Sequence, residues 1–109
     1  MAPGSRKDFG YFSVSVPDAN TIVLCESAID ALSCFILQPG TLCISTAGAR
    51  PNPRWLAPLL CAAEQVVHCG FDADPTGDHM ACVMIELHPQ VRRLRPQRND
   101  WNDVLRARS

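Results

Sequence analysis

Thr21-Ile-Val-Leu-Cys-Glu-Ser-Ala-Ile-Asp30 joins an apolar run to an amphipathic one across a single charged residue and a serine. Its first five residues form a short, β-branched, apolar run without alternation, the pattern of a strand buried on both faces. Glu26 ends that run. Apolar residues at helical spacing then continue from Ala28 to Leu37, where Pro39-Gly40 stops them. A buried strand that passes within two residues into a helix belongs to a parallel sheet with helical crossovers.

The same alternation repeats downstream. Leu42-Cys-Ile-Ser-Thr46, Gln65-Val-Val-His-Cys-Gly-Phe71 and Val91 to Leu94 read as further strands. Helices are expected around Trp55, Leu56, Leu59 and Leu60, from Asp78 to Leu87, and from Trp101 to Arg106. Pro58 either kinks the second helix or marks its first turn. Residues 1–20 read as an entry segment, within which Tyr11-Phe-Ser-Val-Ser-Val16 alternates as an edge strand does. The expected architecture is α/β: roughly four parallel strands with helices on both faces, in a domain over residues 21–109.

Composition narrows the classes further. With 109 residues, 47% hydrophobic and 19% charged, the chain suits one globular domain and not a disordered tail. It is short for an enzyme that also grips a polymer, so a fragment of a larger protein is expected. No stretch nears the roughly 20 apolar residues of a membrane span, and the start lacks a signal-like run, so a cytoplasmic location is expected. The six cysteines lie in apolar runs, with no CxxC pair and no histidine at zinc-ligand spacing, and are read as buried reduced thiols. Trp55 and Trp101 sit in apolar helical contexts and are expected in the core. The net charge is −1, yet Arg92, Arg93, Arg95, Arg98, Arg106 and Arg108 crowd the last eighteen residues, as a solvated face or a nucleic-acid contact.

Ligands of open parallel sheets bind beyond the carboxyl ends of the strands, and here those positions are acidic. Glu26 follows one strand. Asp72 and Asp74 follow another, with the i, i+2 spacing that points both side chains the same way on extended backbone. Like charges about 4 Å apart repel by roughly 1 kcal/mol in water and about 4 kcal/mol at an effective dielectric near 20, so a cluster of this kind needs a cation. Mg²⁺ favours oxygen ligands and takes one or two carboxylates together with phosphate oxygens. Helix capping competes with this reading. Asp74 before Pro75 suits an N-cap, Ser27 with Asp30 forms an S-x-x-D capping box, and Asp100 can cap the helix that contains Asp103. Glu26 and Asp72 have no such role, because a charge at the abrupt end of an apolar strand adds nothing to packing.

These residues resemble the motifs of the Toprim family. Thr21 to Ser33 is similar to its first motif, an apolar strand ending in glutamate with aspartate four residues on, and Gly70-Phe-Asp-Ala-Asp-Pro-Thr-Gly77 to its second, DxDxxG. Asp100-Trp-Asn-Asp-Val-Leu105 resembles the ending of primase-like members in plasmid, phage and conjugative-transfer proteins, and Gly4-Ser-Arg-Lys with Gly10-Tyr-Phe12 the segment before the domain in that subgroup. Thr76 stands where topoisomerase members carry a third aspartate, as in primase-like members. The resemblance implies a Rossmann-like Toprim fold, with Glu26, Asp72 and Asp74 as catalytic and metal-ligating residues for Mg²⁺ or Mn²⁺. Asp30, Asp100 and Asp103 would support that site from behind, with Asp30 alternatively touching a second metal. Arg92, Arg93 and Arg95 would meet nucleic-acid phosphates. The implied activity is nucleotidyl transfer of the primase type, on DNA or RNA with nucleotides, aided by adjoining domains. A metal-dependent nuclease of the OLD type and a noncatalytic DNA-binding module of a mobilisation or conjugation protein are the alternatives.

Overall fold

The computed structural model describes residues 13–15 and 18–108. Residues 4–7 and 10–12, and the outer ends of the alternating run 11–16, lie outside the described residues. The elements run β1 (Ser13–Ser15), β2 (Thr21–Cys25), α1 (Ala28–Leu37), β3 (Thr41–Ser45), α2 (Leu56–Ala62), β4 (Val66–Cys69), α3 (Pro75–Leu87), β5 (Arg92–Arg93) and α4 (Trp101–Arg108). The sheet order is β1-β3-β2-β4-β5. Strands β3, β2, β4 and β5 are mutually parallel, and β1 joins the β3 edge antiparallel, with Ser13 opposite Ile44 and Ser15 opposite Leu42.

Alternation along the strands divides the core in two. Ile22, Leu24, Ile44, Val67 and Cys69 face α2 and α3, where they meet Leu56, Ala81, Met84 and Phe71. Val23, Cys25 and Cys43 face the other way, against Ala31 and Cys34 of α1 and Trp101 of α4. The second layer is built from smaller side chains. Within it, contact with Cys25 and burial push the Cys34 thiol up against an opposing effect of Cys43, and contact with Cys34 and burial push the Cys43 thiol up, which keeps both protonated. Trp101 also donates its indole N–H to the Gly70 carbonyl at 2.8 Å, which ties α4 to the end of β4.

Several boundaries depart from expectation for identifiable reasons. Helix α3 begins at Pro75 instead of Asp78, because Asp74 caps it and proline suits the first helical position. Strand β5 is two residues long, not four. Pro58 falls in the first turn of α2, where its missing N–H costs no hydrogen bond. All six cysteines are free, but Cys61 and Cys82 are exposed, correcting the expectation that every thiol is buried; Cys82 lies on the outer side of α3 near Glu86. Among the described residues, no helix is long and apolar enough to cross a membrane.

Candidate metal centre

Two strand-to-helix turns and the start of α4 meet at the carboxyl edge of the parallel strands. In the first turn, Ser27 adopts extended backbone (φ −139°, ψ 164°) and caps α1. Its Oγ accepts from the Asp30 N–H at 3.1 Å and donates to Asp30 Oδ2 at 3.0 Å, which fixes the carboxyl as well as the helix start. Glu26 is held from behind by the loop after β3, where Gly48 donates its N–H to the Glu26 carbonyl at 2.7 Å. That approach uses the left-handed region at Ala47 (φ 56°) and Gly48 (φ 120°).

In the second turn, Asp74 is also extended (φ −138°, ψ 169°), and its Oδ1 accepts from the Gly77 N–H at 2.7 Å. Asp72 sits just ahead of the cap. Its N–H donates to Glu26 Oε2 at 2.6 Å, while its carbonyl packs against Gly77 so closely that a Cβ there would lie 2.1 Å from the oxygen. The glycine of the DxDxxG pattern is therefore required by close backbone approach.

Asp100 completes the arrangement from the far end of the chain. It caps α4 by accepting from the Asp103 N–H at 2.8 Å, and the Ala73 N–H donates to the Asn99 carbonyl at 2.7 Å, joining the two loops. Among the described residues, Asp30, Asp72 and Asp100 bring one carboxylate oxygen each within 4.8 Å of one another. Asp30 is buried, with its Oδ1 accepting from the Asn102 N–H at 3.3 Å, and burial raises its pKa. Asp72 is pushed further, to about 7, by burial first and then by the charges of Glu26, Asp30, Asp100 and Asp74. Its Oδ1 is buried without a hydrogen-bond partner.

An orphaned carboxylate oxygen among converging carboxylates fits a hard divalent cation such as Mg²⁺ or Mn²⁺, since the donors are all oxygen and the surplus negative charge needs a counter-ion. No soft ligand joins the group.

The sequence-predicted residues fall into distinct places. Asp72 and Asp30 share the cluster with Asp100. Glu26 reaches Asp72 through the Asp72 backbone N–H, and Asp74 spends one oxygen on the helix cap. Asp103 lines an open groove of about 770 Å³ on the flank of α4 with Arg98 and Arg106. Arg92 is exposed on β5. Arg93 and Arg95 turn to Asp78, at 2.7 Å and 3.0 Å. The sequence marks Asp78 only as an acidic side chain at the start of a helix, with no sign of its arginine partners.

A family model described as Toprim-like matches residues 23–105. The fold is similar to that of the primase fragment of the bacteriophage T7 primase-helicase protein, with a TM-score of 0.58 and 20% sequence identity. The match covers 77% of this chain and 38% of that one, so the chain spans well under half of the solved fragment. No curated protein is a significant match. From the strand-end glutamate through the glycine-bearing turn to the Asp100 loop, the matched region contains the whole carboxylate edge, and the chain belongs to the Toprim-like family.

Proposed function

We propose that this domain is the Mg²⁺-dependent part of a nucleic-acid enzyme, most simply a primase-type nucleotidyltransferase acting with adjoining domains of a larger protein. The observation that carries the reading is the buried, partnerless Oδ1 of Asp72 beside the carboxylates of Asp30 and Asp100. Asp72, Asp30 and Asp100 would hold the cation, with Asp74 contributing the oxygen its cap leaves over. A bound divalent cation supplies neutralisation of nucleotide phosphate charge and of charge developing on the leaving oxygens. Glu26 keeps the Asp72 peptide in place through Oε2, which leaves Oε1 to accept the proton of an attacking 3′-hydroxyl. Asp30 acts as a fixed anion, held by Ser27 and Asn102, so that the site needs little rearrangement as charge moves.

Template binding falls to exposed arginines outside the ion-paired set, Arg92 and Arg98 among them, and to the adjoining domains. Free cysteines agree with a reducing cytoplasm, and the primase-like form with a plasmid, phage or conjugative-transfer protein. The test is primer synthesis by the full-length parent protein on single-stranded template with labelled nucleotides, run beside a nicking assay. Asp72→Asn combined with Asp74→Asn is expected to abolish product in Mg²⁺ while leaving DNA binding intact. Nicked product without primer from the unaltered protein would assign a nuclease; no product in either assay, with binding unaffected by the substitutions, would assign a docking module.

A further inference from the structure

The Asp72 peptide is gripped at both polar atoms by side chains from other elements. Glu26 takes its N–H, and Arg93 takes its carbonyl, with Nη2 at 3.1 Å. Arg93 does more than this. Its Nη1 donates to the Cys69 carbonyl at 3.1 Å and the Phe71 carbonyl at 2.7 Å, and its Nη2 donates to Asp78 Oδ1 at 2.7 Å. The four N–H groups on the two terminal nitrogens are thus matched by four acceptors, three of them carbonyls along the chain that leads from β4 into the carboxylate edge. Asp78 is steadied in turn by Arg95, which donates from Nε to Oδ1 at 3.0 Å and from Nη2 to Oδ2 at 3.1 Å. Since β5 is only two residues long, its backbone ladder gives this edge little rigidity of its own, and the guanidinium fork supplies what the strand lacks.

We propose that Arg93 is a positioning residue for the cation site, setting the direction of the Asp72 carboxylate, and not a phosphate-binding arginine. The proposal rests on reading the carboxylate cluster as a divalent-cation site. Electrostatics alone makes the opposite forecast: a positive charge bonded to the Asp72 carbonyl opposes a cation at the neighbouring carboxylates, so deleting it tightens binding. Loss of positioning weakens it.

Calorimetric titration of Mn²⁺ into the unaltered chain, Arg93→Gln and Arg93→Lys separates the two, with thermal melts confirming that each variant is folded at the titration temperature. Both variants are expected to bind Mn²⁺ at least about tenfold more weakly, the scale on which loss of a supporting hydrogen bond acts at metal sites. Arg93→Lys matters because it keeps the charge and the stem while losing the fork, and it carries the test if Arg93→Gln does not fold. Affinity equal to or tighter than that of the unaltered chain in either folded variant overturns the positioning role. If the unaltered chain binds no Mn²⁺, the cation-site reading itself fails, and the role of Arg93 falls with it.

Discussion

The two strand-to-helix turns, β2 to α1 and β4 to α3, start their helices alike and differ in what stands around the cap. In each, an extended residue accepts from the N–H three positions on, Ser27 from Asp30 and Asp74 from Gly77. In the first turn that third position is an aspartate whose two oxygens are both hydrogen-bonded, to Ser27 and Asn102. In the second it is a glycine, because the Asp72 carbonyl fills the place a side chain would occupy. Crowding the Asp72 backbone inward is what brings its carboxylate, with one oxygen unmatched, against Asp30 and Asp100. The first turn fixes its carboxylate with hydrogen bonds from the protein, and the second leaves a carboxylate oxygen unmatched beside it.

Gly77→Ala strikes this difference hardest. A Cβ 2.1 Å from the Asp72 carbonyl forces backbone apart, and urea unfolding is expected to show a loss of about 3 kcal/mol, at the upper end of overpacking costs. A loss below about 1 kcal/mol would mean that the close approach is not maintained in solution. Ser27→Ala removes the other cap and is expected to cost about 1 kcal/mol; because Ser27 also orients the Asp30 carboxyl, Mn²⁺ affinity should fall with it, whereas a cap of purely local effect would leave affinity unchanged.

The smallest effect is a pH drift in the cation-free protein. Asp72 has a folded value of about 7 against an ordinary 3.8, so the folded state holds its proton more tightly than the unfolded state. That contribution to stability is complete below about pH 3.8 and is lost as pH rises through 7. Asp78 runs the other way: Arg95 and Arg93 pull it to about 2, so its contribution exists above 3.8 and disappears as pH falls toward 2. Solvent reaches the partly buried Asp72 and screens much of this contribution, so without divalent cation the melting temperature should decline by only about 3 °C between pH 5 and pH 8. Asp72→Asn should flatten that decline, and millimolar Mg²⁺ should reverse it, since the cation replaces the proton. A decline that survives Asp72→Asn would place its origin elsewhere.

Much of this architecture was legible in the sequence, and the gaps have physical causes. Strand β2 and helix α1 could be read residue for residue from 21 to 37, because an unbroken apolar run, a capping box and a Pro-Gly stop all agree there. The Asp74 cap with Pro75 behind it was equally plain. Apolar periodicity, by contrast, starts α3 only at Asp78, because Pro75-Thr-Gly77 adds nothing to the stripe of Met80, Met84 and Leu87. Alternation revealed β1 but not its antiparallel direction, which depends on pairing with β3. At the candidate site, Glu26 and Asp72 stood out as charges with no packing purpose. Their mutual geometry did not, because a carboxylate that accepts a backbone N–H from 46 residues away leaves no local pattern. Arg93 and Arg95 looked like part of a charged face for the same reason: their partner Asp78 precedes them by 15 and 17 residues.

Asp30, Asp72 and Asp100 are expected to act as a single cation site. Adding substoichiometric Mn²⁺ to isotope-labelled protein and recording amide relaxation tests it most directly. The expected result is paramagnetic broadening centred on residues 26–30, 70–74 and 99–103 together, suppressed by Asp72→Asn and competed away by Mg²⁺. Broadening confined to the Asp103 flank of α4, or none at all, would contradict it.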